Sequence, residues 1–195
     1  AVAEHEEGGR EGRWKLKGNC PKEWETQLGK LRFQLRFMDN SKQFGVFAEQ
    51  SPHWKWVAAR PQKLEPRPRL LNLFGYTGAA SLGAAQAGWH VTHVDASKPA
   101  VAWGRRNQEL SGMAEEPIRW IIEDAMTFVK REVKRGNKYE AIMLDPPAFG
   151  RGPTGEFWKV ERDLAPLLRA CRELLSPQAQ FILLTVYTID ASSIL

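Results

Sequence analysis

The sequence predicts an α/β protein with a doubly wound parallel sheet, on the strength of two patterns. The segments that indicate strands are short and almost wholly apolar, at residues 70–74, 91–95, 118–122, 141–144 and 181–186. The stretches between them have helical length, at residues 79–87, 99–110, 125–135 and 160–175. Strands that alternate with helices of this length pair in parallel through right-handed crossovers. Their continuous apolar character indicates that both faces of the sheet are covered.

The N-terminal part follows a different pattern. Residues 31–37 alternate apolar and polar side chains, residues 38–43 are turn-like and residues 44–49 are apolar again, so we expect a β-hairpin there. Residues 1–12 are polar and glycine-rich, which predicts a disordered tail. Residues 60–69 hold three prolines and four cations and indicate a linker. The predicted organisation is therefore a tail at 1–12, a small β region at 13–59, a linker at 60–69 and the α/β domain at 70–195.

Composition excludes several classes of protein. The chain is 43% hydrophobic and 26% charged, as globular domains are. Its apolar runs are shorter than the ~18 residues of a membrane-spanning helix, and its first residues lack the apolar core of a signal peptide. Cys20 and Cys171 lie far apart in sequence without a CxxC motif or a nearby histidine, which argues against a zinc site and a disulfide framework. A cytoplasmic protein without a bound metal is expected.

Positive charge is concentrated near the N-terminus. The net charge is +5, with 14 Lys and Arg against 9 Asp and Glu in residues 1–70 and 14 of each in residues 71–195. The basic segment also carries Trp14, Trp24, Trp54 and Trp56. Cations interleaved with aromatic residues fit contact with nucleic acid. A solvated surface over a small tryptophan-rich core is the alternative, and the modest charge does not decide between them.

The segment NLFGYTGAAS, residues 72–81, has the features of a cofactor site. A strand leads into a glycine-bearing turn and then into an alanine-rich helix, whose N-terminus presents free N–H groups. Only Gly75 and Gly78 are present, so the spacing is not the GxGxxG of pyrophosphate loops, and a zwitterionic methionine tail suits the loop better. An ordinary turn between a strand and a helix is the alternative.

Acids follow the next two predicted strands. Asp95 ends the second strand, where a carboxylate can accept hydrogen bonds from both hydroxyls of a ribose. Asp124 follows the third strand, where it can accept from an adenine amino group while the Ala125 backbone contacts the ring. A helix N-cap is the alternative role for either acid, and for Asp124 the two roles are compatible.

The run IMLDPPAFG, residues 142–150, is the most specific signal. Two prolines directly after a buried strand end it and stiffen the turn. They fix Asp145 at the carboxyl edge of the sheet, beside the crevice where ligands bind in such folds. The proline carbonyls and Phe149 can cradle a flat base. A purely structural turn is the alternative.

Together these motifs resemble those of class I S-adenosylmethionine-dependent methyltransferases. More narrowly, the order FGVF, NLFGYTG, VDAS, EDA and DPPAFG within residues 31–192 is similar to the large-subunit ribosomal RNA methyltransferase family, whose best-known members make 5-methylcytosine or 7-methylguanine. The resemblance implies a Rossmann-like sheet, an enzyme that uses S-adenosylmethionine, a ribosomal RNA substrate, and an N-terminal hairpin beside the cofactor pocket. The implied cofactor contacts are Phe74, Gly75, Tyr76, Thr77, Gly78, Asp95, Ala96, Asp124, Ala125 and Asp145. The expected catalytic residues are Asp145, Pro146, Pro147 and Phe149.

One departure from the family pattern bears on the target atom. Methylation of cytosine C5 needs a cysteine nucleophile, which in the 5-methylcytosine relatives follows the fifth strand. Here that run is LTVYTIDAS, residues 184–192, and Thr188, preceded by Tyr187, stands at the place of the cysteine. A threonine hydroxyl is far less nucleophilic than a thiolate. The expected target is therefore a base nitrogen, which needs only positioning and proton removal.

Other functions are compatible with the sequence. A nicotinamide-dependent dehydrogenase would share the loop and the ribose acid, but the chain lacks GxGxxG and carries Asp-Pro-Pro. Thr188 leaves open a non-catalytic, RNA-associated module that binds S-adenosylmethionine. The basic N-terminal third argues against a small-molecule methyltransferase but does not exclude it. A full sheet of this class has seven strands, so we expect the chain to be truncated after its fifth.

Overall fold

The computed structural model describes residues 2–6, 13–38, 43–60 and 66–186 of the 195-residue chain. Its N-terminal part has two antiparallel strand pairs, which are β1 (Val2–Glu6) with β2 (Arg13–Lys17) and β3 (Glu23–Leu28) with β4 (Leu31–Arg36). A 3₁₀ turn at Ala48–Gln50 then leads into helix α1 (Ser51–Ala58).

Alternating strands and helices follow. They are β5 (Arg69–Leu73), α2 (Ala79–Gln86), β6 (His90–Asp95), α3 (Lys98–Leu110), β7 (Ile118–Ile122), α4 (Ala125–Lys134), β8 (Ala141–Leu144), β9 (Phe149–Arg151), β10 (Phe157–Lys159), α5 (Val160–Leu174) and β11 (Phe181–Leu184). The strands β9 and β10 form a separate antiparallel hairpin. The other five form a parallel sheet in the order β11-β8-β5-β6-β7.

This sheet confirms the predicted doubly wound α/β fold. From β5 the chain winds outward through β6 and β7, and it then crosses back to add β8 and β11 on the other side. The winding direction therefore reverses between β5 and β8, and ligands bind at the carboxyl ends of strands beside such a switch point.

Alternate residues of the central strands face opposite layers, because successive side chains of a strand point to opposite faces. Leu70 packs in a cluster with Val57 of α1 and Leu82 of α2. Leu71 packs in a second cluster with Phe128 of α4 and Leu167 of α5. Both faces are covered, which explains why these strands are apolar throughout.

The predicted hairpin in residues 31–49 is wrong in its second strand. β4 pairs with the preceding strand β3, and residues 44–49 form no strand. The Phe44 ring instead packs at 5.1 Å from that of Trp14 and 5.7 Å from that of Phe37. Burial in this aromatic cluster accounts for the apolar pattern that we interpreted as a strand. The predicted turn residues 39–42 lie outside the described residues.

The predicted disordered tail is also corrected in part, because residues 2–6 form β1. Strand pairing uses backbone groups, so a polar segment can form a strand when a neighbouring strand supplies partners. Residues 1 and 7–12 of the tail and residues 61–65 of the linker lie outside the described residues, and Arg69 of the predicted linker already belongs to β5.

The N-terminal strands dock on helix α3. The Gln34 N–H donates to Asn107 Oδ1 at 3.0 Å, and the Trp103 indole donates to the Gln34 carbonyl at 2.9 Å. The Arg36 guanidinium lies 4.1 Å from the centre of the Trp103 ring. The aromatic residues in this region, including Trp14 and Trp24, take part in packing, which supports the tryptophan-rich core over a nucleic-acid surface here. Among the described helices, none is long and apolar enough to cross a membrane.

Candidate active site

A cavity of about 540 Å³ opens at the carboxyl ends of the central strands. This volume is within the range of sites for small molecules. The cavity brings together nine of the predicted residues, which are Phe74, Tyr76, Asp95, Ala96, Asp124, Ala125, Asp145, Pro146 and Pro147. Gly75 and Thr77 line an adjoining pocket of about 60 Å³, which shares Phe74, Tyr76 and Asp145 with the larger cavity. Gly78 and Phe149 line neither space.

The loop of residues 74–78, called here the glycine loop, has an unusual backbone. Phe74 and Tyr76 have φ values of 57° and 50°, in the left-handed region that bulky residues rarely adopt. The Gly75 N–H donates to the Val94 carbonyl at 3.1 Å, and the Tyr76 N–H donates to Asp95 Oδ2 at 2.8 Å. These bonds to the end of β6 hold the strained loop with two aromatic rings in the wall of the cavity.

A buried polar network lies beneath the glycine loop. The Ser81 hydroxyl accepts a hydrogen bond from Asn72 Nδ2 and lies 2.9 Å from His93 Nδ1. The His93 ring is fully buried, with its centre 4.4 Å from that of the Trp120 ring. A Cβ atom at Gly75 would lie 2.4 Å from His93 Cε1. The imidazole therefore packs directly beneath Gly75 and supports the loop.

We expect His93 to make the protein less stable in acid. Burial lowers the pKa of His93 to about 3, whereas an unfolded histidine has a pKa of about 6.5. Below pH ~6.5 the unfolded chain therefore binds a proton that the folded chain excludes, and the unfolding free energy falls by up to ~1.4 kcal/mol per pH unit. Urea unfolding at pH 7.5 and 5.5 should show this loss in the wild type but not in His93→Gln.

His90 offers a matched control, since it lies on the same strand with an exposed side chain. His90→Gln should keep the wild-type difference between the two pH values. The comparison uses the change in unfolding free energy between the two pH values, because the stability cost of each substitution cancels in that change. Equal pH dependence in His93→Gln and the wild type would show that His93 does not carry the effect.

Asp95 joins β6 to the glycine loop. Its Oδ2 accepts from Tyr76 N–H and its Oδ1 accepts from Ser97 N–H, each at 2.8 Å. Burial raises the pKa of Asp95, and the two N–H donors oppose that rise. Helix α3 is capped by Ser97, whose hydroxyl accepts from Ala100 N–H, so Asp95 is not its N-cap. Each carboxylate oxygen has more than one lone pair, so Asp95 can accept further hydrogen bonds from a ligand.

Asp124 is the N-cap of helix α4. Its Oδ1 accepts from Thr127 N–H at 2.8 Å. The same side chain lies in the cavity wall beside Ala125, so the second oxygen is available to a ligand. The capping role and the ligand role that the sequence suggested are compatible in this geometry.

Asp145 lies where the larger cavity meets the inner pocket. Its Oδ1 accepts from the Thr185 hydroxyl at 2.5 Å. Burial raises the pKa of Asp145, a rise opposed by the Thr185 hydrogen bond and the charge of His53 and reinforced by Glu49. His53 is oriented by Gln50, whose Oε1 lies 2.5 Å from His53 Nδ1. No local pattern in the sequence indicates Thr185, because it reaches Asp145 only through the fold.

Trp158 is a further residue of the cavity wall, with no counterpart among the predicted site residues. The β9–β10 hairpin folds back over the sheet edge, and the Trp158 indole donates to the Pro147 carbonyl at 2.7 Å. Its ring lies 4.9 Å from that of Phe74. The Pro147 carbonyl is thus engaged by the protein rather than by a base. The Gly-Pro-Thr-Gly run at residues 152–155 is a turn signal that could have indicated the hairpin.

No thiol of the described residues lines the cavity or the inner pocket. Cys171 is buried in the core, and burial raises its pKa to about 12, so it is a poor nucleophile. Tyr187 and Thr188 lie outside the described residues. Among the residues that are described, no group of three or more His, Cys, Asp or Glu could hold a metal ion.

Comparison with known proteins agrees with this geometry. A structure of the SAM-dependent methyltransferase from Agrobacterium tumefaciens has a TM-score of 0.92 and 46% identity, over 97% of this chain and 61% of that one. The ribosomal RNA large subunit methyltransferase K/L of Hahella chejuensis is 36% identical over 135 residues, which are 68% of this chain and 18% of the relative. Its counterpart in Desulfotalea psychrophila is 30% identical over 176 residues, 89% of this chain and 23% of the relative.

The chain thus spans about a fifth of the length of these curated relatives. The family model for S-adenosylmethionine-dependent methyltransferases matches residues 7–191, which include the whole parallel sheet and every residue of the cavity wall. Because this model covers nearly the whole chain and all of the cavity, the protein is a member of the S-adenosylmethionine-dependent methyltransferase family.

Proposed function

We propose that this enzyme methylates a base of ribosomal RNA, at a nitrogen rather than at cytosine C5. The observation that carries the proposal is a cavity whose wall contains Asp95, Asp124 and the Asp145-Pro-Pro turn together. The relatives named above are ribosomal RNA methyltransferases by name, and this chain aligns with them over 135 and 176 residues.

The cavity residues fit S-adenosylmethionine. The half-buried Asp95 carboxylate is the acceptor for the two ribose hydroxyls, because its oxygens have lone pairs beyond those used by the backbone. We assign the adenine to Asp124 and the Ala125 backbone, and the methionine tail to the glycine loop, because residues of both segments line the cavity or the inner pocket. Phe74, Val94 and Trp158 supply apolar walls. The cofactor, when bound, supplies an electrophilic methyl group on a sulfonium.

Asp145 is proposed to accept the proton that a base nitrogen loses on methylation. Its raised pKa makes it a stronger base than an ordinary aspartate, and Thr185 fixes one of its oxygens. Pro146 and Pro147 hold the acid in place, and the rest of the rate enhancement comes from positioning the nucleophile. A nitrogen target is favoured because cytosine C5 needs a thiolate, and the cavity has none among its described lining residues.

A tritium-methyl assay tests the function. We expect the wild type to transfer label from S-adenosylmethionine to large-subunit ribosomal RNA that lacks modifications, and the Asp145→Asn variant to do so at least ~100-fold more slowly. Because Asp145 must be ionised to accept a proton and its pKa is raised, activity should fall on acidification at a higher pH than an ordinary aspartate would give. Glu109→Gln, an exposed acid on α3, is the control and should retain wild-type activity.

Each other result has a definite meaning. Label that enters small-molecule acceptors and no RNA would identify a small-molecule methyltransferase. Saturable binding of S-adenosylhomocysteine with no transfer to any acceptor would identify a non-catalytic module. Label at cytosine C5 after nucleoside digestion would show that the assignment of a nitrogen target is wrong.

A further inference from the structure

The β9–β10 hairpin has two chemically different faces. Its register pairs Phe157 with Arg151, Trp158 with Gly150, and Lys159 with Phe149. Directly opposed residues of an antiparallel pair lie on the same face, and the faces alternate along each strand. Trp158 and Gly150 therefore share the inner face. The outer face, called here the hairpin face, consists of Phe149, Arg151, Phe157 and Lys159.

The burial of these residues follows the same division. Trp158 is 6% exposed and packs against Phe74, whereas Phe149 is 72% exposed and Phe157 is 52% exposed. Two rings exposed on the same face of a short hairpin are unusual, because large apolar side chains are normally covered. The two strands have no core of their own, so these rings contribute little to folding. Their exposure therefore points to a partner.

Cations alternate with the rings on this face. Each ring has a cation directly opposite it on the other strand, Lys159 across from Phe149 and Arg151 across from Phe157. Lys159 has an acidic neighbour in Glu161 at 3.9 Å, but both side chains are more than half exposed, so this ion pair is weak. Arg162 lies 5.9 Å from the Phe157 ring centre and is held there by Asp163.

The hairpin face also lies at the mouth of the cavity. Gly150, Arg151 and Gly152 are part of the cavity wall, so the hairpin forms one side of its rim. An enzyme that acts on a base takes that base out of its stack and into the site. The nucleotides next to the extruded base then lie at the rim with their flat faces uncovered. Aromatic rings with nearby cations bind such unstacked bases and the phosphates between them.

We propose that the hairpin face binds single-stranded RNA on either side of the target nucleotide, with bases stacked on Phe149 and Phe157 and phosphates paired with Arg151 and Lys159. This proposal rests on the RNA substrate proposed above and adds the place where the strand is held. It assigns Phe149 to the neighbouring nucleotides instead of to the reacting base. The hairpin face favours RNA over a protein partner, because lysine such as Lys159 is depleted at protein–protein interfaces but pairs readily with phosphate.

Fluorescence anisotropy tests this with a labelled 12-nucleotide single strand of mixed sequence and with its duplex. We expect the wild type to prefer the single strand. Phe157→Ala and Phe149→Ala should each weaken single-strand binding about 5- to 100-fold, the range found for loss of one stacked base. Arg151→Gln should weaken it less and reduce the slope of log affinity against log salt by about one.

Two controls make the result specific. Trp56→Ala removes another exposed ring beneath an arginine, on helix α1 and outside the hairpin, and should leave RNA affinity unchanged. Calorimetry with S-adenosylhomocysteine should give the wild-type affinity for Phe157→Ala, because that side chain is not part of the cavity wall. Thermal denaturation checks that each variant is folded.

The outcomes separate this proposal from the function on which it rests. If the wild type binds the single strand and the two phenylalanine variants bind it equally well, the hairpin proposal is overturned and the RNA substrate stands. If the wild type prefers the duplex, the stacking role of the hairpin face is overturned and the RNA substrate stands. If the wild type binds S-adenosylhomocysteine but neither RNA, both the RNA substrate and the hairpin proposal fail.

Discussion

Gly75→Ala is expected to weaken binding of S-adenosylhomocysteine at least tenfold and to lower the unfolding free energy by about 1–3 kcal/mol. The added Cβ would lie 2.4 Å from His93 Cε1 and 2.5 Å from His93 Nδ1. The imidazole cannot move aside easily, because Ser81 binds its Nδ1 and the Trp120 ring packs against it. The glycine loop must therefore lift away from β6, which displaces the rings of Phe74 and Tyr76 from the cavity wall.

Gly83→Ala is the matched control for this substitution. Gly83 lies inside helix α2, and a Cβ there would meet only the Trp54 Cβ at 3.7 Å, an ordinary contact. Alanine in a helix interior should stabilise the fold by about 0.5–1 kcal/mol relative to glycine, with no change in ligand affinity. Urea unfolding and calorimetric titration measure both quantities. Wild-type affinity in Gly75→Ala would show that the loop does not depend on close contact with His93.

Asp95→Ala is expected to weaken S-adenosylhomocysteine binding about 100-fold or more, close to 3 kcal/mol. The carboxylate is proposed to accept both ribose hydroxyls, and it also holds the N–H groups of Tyr76 and Ser97. Its loss removes a half-buried, charged acceptor and releases the glycine loop, whose Tyr76 has a strained φ of 50°. Asp95→Asn retains one acceptor oxygen, so its affinity for S-adenosylhomocysteine should lie between those of the wild type and Asp95→Ala.

Asp163→Ala separates loss of affinity from loss of stability. Asp163 also accepts a backbone N–H at 2.8 Å, from Lys159, but it lies outside the cavity wall. This variant should lose about 1 kcal/mol of stability and keep the wild-type affinity.

A titration with NADH completes the comparison, because tight NADH binding would contradict the specificity for S-adenosylmethionine. Equal affinity of Asp95→Ala and the wild type would exclude Asp95 as the ribose acceptor.

The parallel sheet could be predicted from the sequence because its signals are local. A buried central strand such as Ala141–Leu144 is apolar at every position, and the prolines that follow it end it unambiguously. The N-terminal pairing could not be predicted in the same way. Phe44 satisfies its need for burial in an aromatic cluster, and nothing in residues 44–49 shows that β4 already has a partner in β3.

The candidate site shows the same division between local and non-local information. The positions of Asp95, Asp124 and Asp145 follow from the ends of strands, so the sequence placed these acids at one sheet edge. Trp158 enters the wall only because the hairpin folds back onto Pro147, and Thr185 reaches Asp145 only through the pairing of β11 with β8. Contacts between distant residues of this kind have no periodic pattern in the chain.

The left-handed backbone at Phe74 and Tyr76 limits how far this enzyme can be made more stable by engineering. Each residue costs the folded state about 1–2 kcal/mol relative to an ordinary conformation, and glycine at either position would recover part of that energy. It would also delete an aromatic ring from the cavity wall. A search for thermostable variants should therefore find gains at these two positions only together with losses of ligand affinity, whereas helix positions such as Gly83 are free of that conflict.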